Sequence, residues 1–521
     1  MAGTASADSA LRRYTRSVFD AFADMPHRGS GTHYEARAAR ILSRLAGEST
    51  GARVDSQPFA VDLSSGAWNV ALHGAILCSV LGLSWLAGLG LSAVWGPGST
   101  PASLGPLGTV PFPVALTCLA AAIVLLVSRW MAGSSGWGVF SFFLPNVDSS
   151  NVIVSSFARG DDSASIRLPC EKRWEERFRA SGKKRLVILS AHYDSARCLP
   201  PMNAPGPLQR ALLAALKNSI SALPTFFYFV LIACFGLSSA LAFLDPEGRL
   251  MSGALGWVAA ILALAGFGVA AIEAIVAGKS VDKPFEQGFN DDLSGVVAAL
   301  GAFSRLCPAP DSDVLAETAV MVLLAGSEEN GLRGSTVFSK TVLRTAVEFF
   351  GIEGVFLVNA DSVSGGRLKA ASAEHNFTGG LRGGDPAFGM AATAFLRGRR
   401  LGQAEADEHL TRDEQALCLL PQDAGFGYAI DYDGLALAAC TDMTAFCASP
   451  GFNGKLRAFS VVSVAEGSGP IPQPRDYHQP SDTWSTLFLA SEPQNYATVL
   501  SLSLALSDLA AEIDRGGFDK L

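Results

Sequence analysis

The chain has 521 residues, 49% of them hydrophobic and only 17% charged, against about 25% charged in an ordinary soluble domain. No Asp, Glu, Lys or Arg occurs at 63–128, 218–244 or 250–272, which excludes a purely soluble protein, while normal charge density elsewhere excludes a pure membrane bundle. A formal net charge of −8 without a basic stripe argues against nucleic-acid binding.

The polar start, residues 1–16, has no apolar core, so no cleavable signal peptide is expected there. A helical pattern follows at 34–45, with Arg37, Arg40 and Arg44 on one face, and then an extended piece at 52–61. Two apolar spans, 68–95 and 110–130, are joined by the uncharged loop 96–109 and form a first expected membrane hairpin. Each is long enough to cross a bilayer, and Trp68, Trp95 and Trp130 sit near their ends as interface anchors do. Extended segments are expected at 151–156 and 185–191. A second hairpin, 220–244 and 253–278 with Trp257, turns at 245–252. Beyond it the chain alternates: helical at 295–306, extended at 318–325, helical at 342–350, extended at 354–360. Such alternation is the pattern of an α/β domain.

The expected plan is therefore one α/β domain with a mixed, mostly parallel central sheet flanked by helices, interrupted by four transmembrane helices in two hairpins. Its pieces are 1–65, 134–218 and 279–521, with hairpins at 66–133 and 219–278. An even number of spans leaves the polar pieces on one membrane face. Arg53, Arg129, Arg210, Lys217, Lys279 and Lys283 flank the spans on that side, and the connecting loops carry only Arg249. The positive-inside bias then puts the domain and both termini in the cytoplasm. The 9 cysteines, without a C-x-x-C pair, fit a reducing compartment.

Three expected strands run into metal-type side chains. The first leads into His192-Tyr193-Asp194, where i and i+2 share a face, so Asp194 is placed to orient the His192 imidazole. The second leads into Gly326-Ser327-Glu328-Glu329, whose adjacent carboxylates point apart, one toward a metal and one toward a water. The third delivers Asp361. Ligands bind beyond the carboxyl ends of strands in open α/β sheets, so one crevice collects all three. Asp291-Asp292 precedes an apolar helix, where a capping role competes with a metal role. His478 lies in a Pro-flanked loop. Asp442 and Met443 precede it, and Arg382, Asp385 and Asp442 are further candidates to line the pocket.

Taken in order, H-x-D (His192, Asp194), D-x-x-S-G (Asp291 to Gly295), E-E-x-G-x-x-G-S (Glu328 to Ser335), Asp361 and Y-H (Tyr477, His478) with a following Asp482-Thr483 resemble the co-catalytic dizinc exopeptidases. That family includes bacterial leucyl aminopeptidases, glutamate carboxypeptidase and glutaminyl cyclase. Arg28-Gly29-Ser30-Gly31 with Tyr34-Glu35 resembles its opening region. The resemblance implies two zinc ions, one on His192 and Asp361, the other on Glu329 and His478, with Asp291 bridging. It implies Glu328 as general base and Asp194 as support for His192. Met443 stands where the family often has His.

The activity this implies is a membrane-embedded zinc aminopeptidase acting on peptide or amide substrates, hydrophobic ones included, at the bilayer. Alternatives are an amide or N-acyl hydrolase for lipid-like substrates and a glutaminyl cyclase-like transferase. A transporter or receptor on a vestigial enzyme fold needs ionisable groups within the spans, and only His73 and Glu273 lie near their ends. Apolar pocket walls are expected near 200–207 and 285–289.

Overall fold

The computed structural model describes residues 9–50, 52–62, 146–156, 170–198, 283–308, 314–349, 352–375, 381–432, 441–448, 455–465, 474–489 and 491–521, plus a few isolated positions. Apart from isolated positions at 120, 123, 127 and 233, the four expected membrane spans, and the expected pocket wall at 200–207, lie outside the described residues.

An eight-stranded sheet organises what is described. Its strands are β1 (Arg53–Asp62), β2 (Asn146–Ser155), β3 (Arg185–His192), β4 (Thr318–Ala325), β5 (Gly354–Asp361), β6 (Arg367–Ala371), β7 (Ile430–Tyr432) and β8 (Leu456–Val464). Their order is β1-β2-β4-β3-β5-β8-β6-β7. The central run β4-β3-β5-β8 is parallel, as is β6-β7; β1-β2, β2-β4 and β8-β6 are antiparallel. The mixed, mostly parallel sheet expected from the sequence is present.

The central strands are apolar on both faces because each face is covered. Val187, Leu189 and Ala191 of β3 enter one core, and Leu186 and Ile188 enter the other. β5 divides the same way, with Phe356, Val358 and Ala360 on one side and Val355 and Leu357 on the other. Near-continuous apolar runs are what a doubly covered parallel sheet requires, and each fully buried side chain contributes about 1.5–3 kcal/mol.

The first core is closed by α1 (Ala10–Asp20), α2 (His33–Thr50), α4 (Ser294–Leu306), α5 (Pro386–Gly398) and α6 (Gln494–Asp514); the second receives Trp174 and Phe178 of α3 (Cys170–Ser181). Helix α4 is buried along nearly its whole length, with only Ser304 and Arg305 reaching toward solvent. It packs close to α6: a Cβ on Gly301 would stand 2.6 Å from Ser503 Oγ. Helix α6 is the one described helix long and apolar enough to cross a membrane, and 89% of its apolar window is buried in this core.

The extended segment expected at 151–156 begins earlier, at Asn146, where β2 pairs along its whole length with β1. The expected helix 342–350 is present as the end of a longer helical run, in which Arg333–Phe338 continues through a π-helical turn, Ser339–Leu343, into Arg344–Phe349.

Candidate metal centre

Register explains why distant motifs meet. In β3 and β4, His192 pairs with Ala325; in β3 and β5, Ser190 pairs with Asn359. Two residues further along, His192 therefore stands beside Asp361, and the Gly326–Glu329 turn leaves β4 on the other flank. All of this occurs at the carboxyl ends of the parallel strands, where a crevice is expected.

Asp291 holds the middle. Its Oδ1 lies 3.2 Å from His192 Nε2, and its Oδ2 lies 3.3 Å from His478 Nε2. His478 Nε2 is also 3.2 Å from Glu329 Oε1. Two sets of donor atoms result, each clustered within 4.8 Å: an inner group of His192, Asp291 and Asp361, and an outer group of Asp291, Glu329, His478 and Glu286. Glu328 joins His192 and Glu329 in a third such cluster. The structure thus brings together His192, Asp291, Glu328, Glu329, Asp361 and His478.

Neighbouring residues hold these groups in place. Asp292 is buried and accepts hydrogen bonds from the backbone N–H of His192 (3.2 Å), Gly295 (2.9 Å) and Ser362 (3.0 Å). It therefore ties β3, β5 and the start of α4 together. The aspartate pair divides its work: Asp292 caps the helix, and Asp291 faces the two imidazoles. Asp482 accepts from the N–H of Asn290 (2.6 Å) and Asp291 (2.9 Å), which locks the His478 turn to the Asp291 loop. Arg28 is fully buried and donates to the carbonyls of Tyr193, Gln287 and Gly288. Glu35 accepts from Gly31 N–H and from the Ser149 and Ser327 hydroxyls under the Glu328 turn.

Asp194 stands beside His192, its Oδ1 3.5 Å from Nδ1. Its oxygens also accept from the backbone N–H of Glu328 (2.9 Å) and Glu329 (3.1 Å) and from Ser30 Oγ (2.6 Å). One carboxylate therefore faces the His192 imidazole and braces the Glu328-Glu329 turn.

Backbone strain concentrates at the same place. Ser327, Leu332, Ser362, Asp476 and His478 have φ of 52°, 59°, 52°, 55° and 53°, an arrangement that side chains other than glycine adopt at a cost and that clusters at functional sites. Gly334, in E-E-x-G-x-x-G-S, has no alternative: a Cβ there would stand 2.2 Å from Asn151 Oδ1 and 2.5 Å from Gly326 O.

Burial raises the carboxyls of Asp361 and Asp482 to about 7 and that of Asp442 to about 6. Burial also raises Glu328 well above the carboxylate range, opposed by His192 and reinforced by Glu329. Burial works against ionised Asp291 as well, but the two imidazoles outweigh it and hold this group below its ordinary value. Burial would lower His192, and the surrounding carboxylates, Glu328 first, raise it well above the usual range. Acidic side chains outnumber cationic ones, and Asp291 Oδ2 and both Glu286 oxygens receive no hydrogen bond. Buried carboxylates without partners call for cations. Imidazole nitrogen with carboxylate oxygen is a zinc donor set.

Among the other candidates, Asp442 is buried close enough to His192 to feel its charge. Asp385 is a helix cap, accepting from Ala387 and Phe388 N–H. The 285–289 segment was expected as an apolar wall but carries Glu286 inward; its apolar flanks, Phe285 and Phe289, hid it.

No protein-family profile matches the sequence, and no curated protein matches it. Solved structures with a similar fold include bacterial zinc aminopeptidases and glutaminyl cyclases. The aminopeptidase from Aneurinibacillus sp. strain AM-1 is 12% identical with a TM-score of 0.38, covering 95% of this chain and 93% of that one. The zinc aminopeptidase BSAP from Bacillus subtilis is 11% identical with a TM-score of 0.40, covering 96% and 94%. Bacteroides thetaiotaomicron glutaminyl cyclase, bound to N-acetylhistamine, is 10% identical with a TM-score of 0.41, covering 97% and 98%. These overlaps are loose, and the donor geometry inside the site carries the functional reading.

Proposed function

We propose that the chain is a membrane-embedded dizinc aminopeptidase, hydrolysing N-terminal peptide bonds at the cytoplasmic face of the bilayer. The observation that carries this reading is the pair of donor groups sharing Asp291, with Glu328 beside both. His192 and Asp361 would hold one ion, Glu329 and His478 the other, and Asp291 both. Bound there, zinc supplies a Lewis acid for the scissile carbonyl and acidifies water toward neutral pH.

Glu328 carries the proton traffic. It takes a proton from the attacking water and returns it to the leaving nitrogen, and burial, which raises its carboxyl, strengthens it as a base. Asp194 fixes the Glu328 and Glu329 backbone, and Asp292 fixes His192 against β5. Membrane attachment rests on the uncharged spans of the sequence.

Glu328→Gln should lower turnover of aminoacyl amides by roughly 10²–10⁴-fold while zinc content stays at the unsubstituted level. Retention of more than half the activity removes Glu328 from the base role. N-acyl amino acid cleavage without aminoacyl release, on the same purified protein, points to the acyl hydrolase instead. An impermeant thiol reagent in intact cells should label a cysteine placed at Ser99 but not one at Ser65; the reverse pattern puts the domain outside.

A further inference from the structure

We propose that Glu286 is a fourth protein ligand of the outer metal position, giving it one imidazole and three carboxylates. This rests on the metal reading above. Glu286 is 1% exposed, and neither of its oxygens has a hydrogen-bond partner. Its carboxylate lies within 4.8 Å of the donor atoms of Asp291, Glu329 and His478.

Its backbone is pinned there. Glu286 N–H donates to Ala196 O (3.0 Å), Cys198 N–H donates to Pro284 O (2.9 Å), and Ser195 Oγ donates to Glu286 O (3.0 Å). This short ladder, which includes the Arg197–Phe285 bridge, couples Glu286 to the segment leaving His192. The nearby buried cation cannot neutralise the carboxylate directly. Arg28 directs Nε, Nη1 and Nη2 to the carbonyls of Tyr193, Gln287 and Gly288. A buried, unpaired carboxylate is costly, and a metal ion at the outer group removes that cost.

The two positions then differ in kind. Four protein ligands would fill the outer position, whereas the inner group of His192, Asp291 and Asp361 offers three and would leave a place for water, as catalytic zinc sites do. The oxygen-rich outer set also suits harder ions such as Mn²⁺ better than the inner set does.

The test uses the purified full chain, stripped of metal and titrated with zinc alone, reading ion stoichiometry, affinity and the zinc-induced rise in Tm. Glu286→Gln should weaken one of two ions at least tenfold and leave the other unchanged. Without metal it should melt at or above the unsubstituted protein, since a buried charge is gone, and its zinc-induced rise should shrink. If the variant does not fold, Glu286→Asp replaces it: the carboxylate one methylene short should weaken the same ion at least tenfold. Two ions bound with unchanged affinity in the folded variant overturn the proposal and leave the metal reading standing. Failure of the unsubstituted protein to bind zinc overturns both.

Discussion

His192 and Asp361 reach the centre from the ends of adjacent buried strands, whereas Glu286, Glu329 and His478 reach it from loops. The two imidazoles differ accordingly, His192 being 3% exposed and His478 13%, while loop-borne Glu286 is as deeply buried as His192. The inner group is placed by sheet register, which the two cores enforce. The outer group is placed by hydrogen bonds between loops, chiefly those of Asp482, Asp194 and Arg28, and by left-handed backbone at Asp476 and His478. Strand ends fix the inner donors, and loop-to-loop hydrogen bonds fix the outer ones.

The largest effect is expected where the two halves meet. Asp291→Ala removes the one carboxylate that both groups share, so dialysed protein should retain almost no zinc and lose its metal-induced thermal stabilisation. Two ions persisting in this variant would mean that the halves are independent.

Replacing one imidazole from each half sharpens the contrast. In metal-free protein, His192→Ala leaves Asp291 and Asp361 buried without their counter-charge and should cost about 3–5 kcal/mol. His478→Ala, nearer solvent, should cost about 1–3 kcal/mol. Urea unfolding of both variants measures this, and equal costs would erase the distinction between strand-built and loop-built donors.

The loop half also carries a pH dependence that Glu35 helps to set. Burial raises the Glu35 carboxyl from 4.5 to about 7, with the Asp194 charge adding to it. Because the folded value lies above the unfolded one, the associated stability is complete below pH 4.5 and lost as pH rises toward 7, by at most about 3 kcal/mol. Asp361, Asp442 and Asp482 act in the same direction. Metal-free protein should therefore resist urea better at pH 5 than at pH 7.5, and Glu35→Gln should flatten that slope. An unchanged slope would show that Glu35 ionises normally.

The smallest effect concerns the inner group alone. Asp292→Ala frees three buried N–H groups that orient His192, Ser362 and Gly295. It should weaken one ion by about 10- to 100-fold and leave the other at its original affinity. A titration in which both ions weaken together would show that Asp292 supports the whole centre.

The donors themselves were readable from local pattern. Apolar runs at 185–191, 318–325 and 354–360 end abruptly in His192, Glu328-Glu329 and Asp361, and a doubly covered parallel strand must end that way when it opens into a polar crevice. Helix α4 was equally plain, since 295–303 is uncharged and mostly apolar. Long-range pairing was not readable. Strand β8 enters the sheet between β5 and β6 from far along the chain, and α6, an apolar helix of membrane length, is instead claimed by the core against α4. Nor does a sequence state which member of an acidic pair turns inward. Asp291 faces the imidazoles because Asp292 is held by three backbone N–H groups on two strands and a helix. Asp194 reaches the Glu328-Glu329 backbone as well as His192 because β3 ends at His192. Glu286, between apolar neighbours, faces the centre because the ladder with Ala196 and Cys198 sets its direction. Residue chemistry and strand periodicity are local and survive in the sequence. Burial, register and the facing of loop side chains depend on contacts between segments hundreds of residues apart, and only the folded chain decides them.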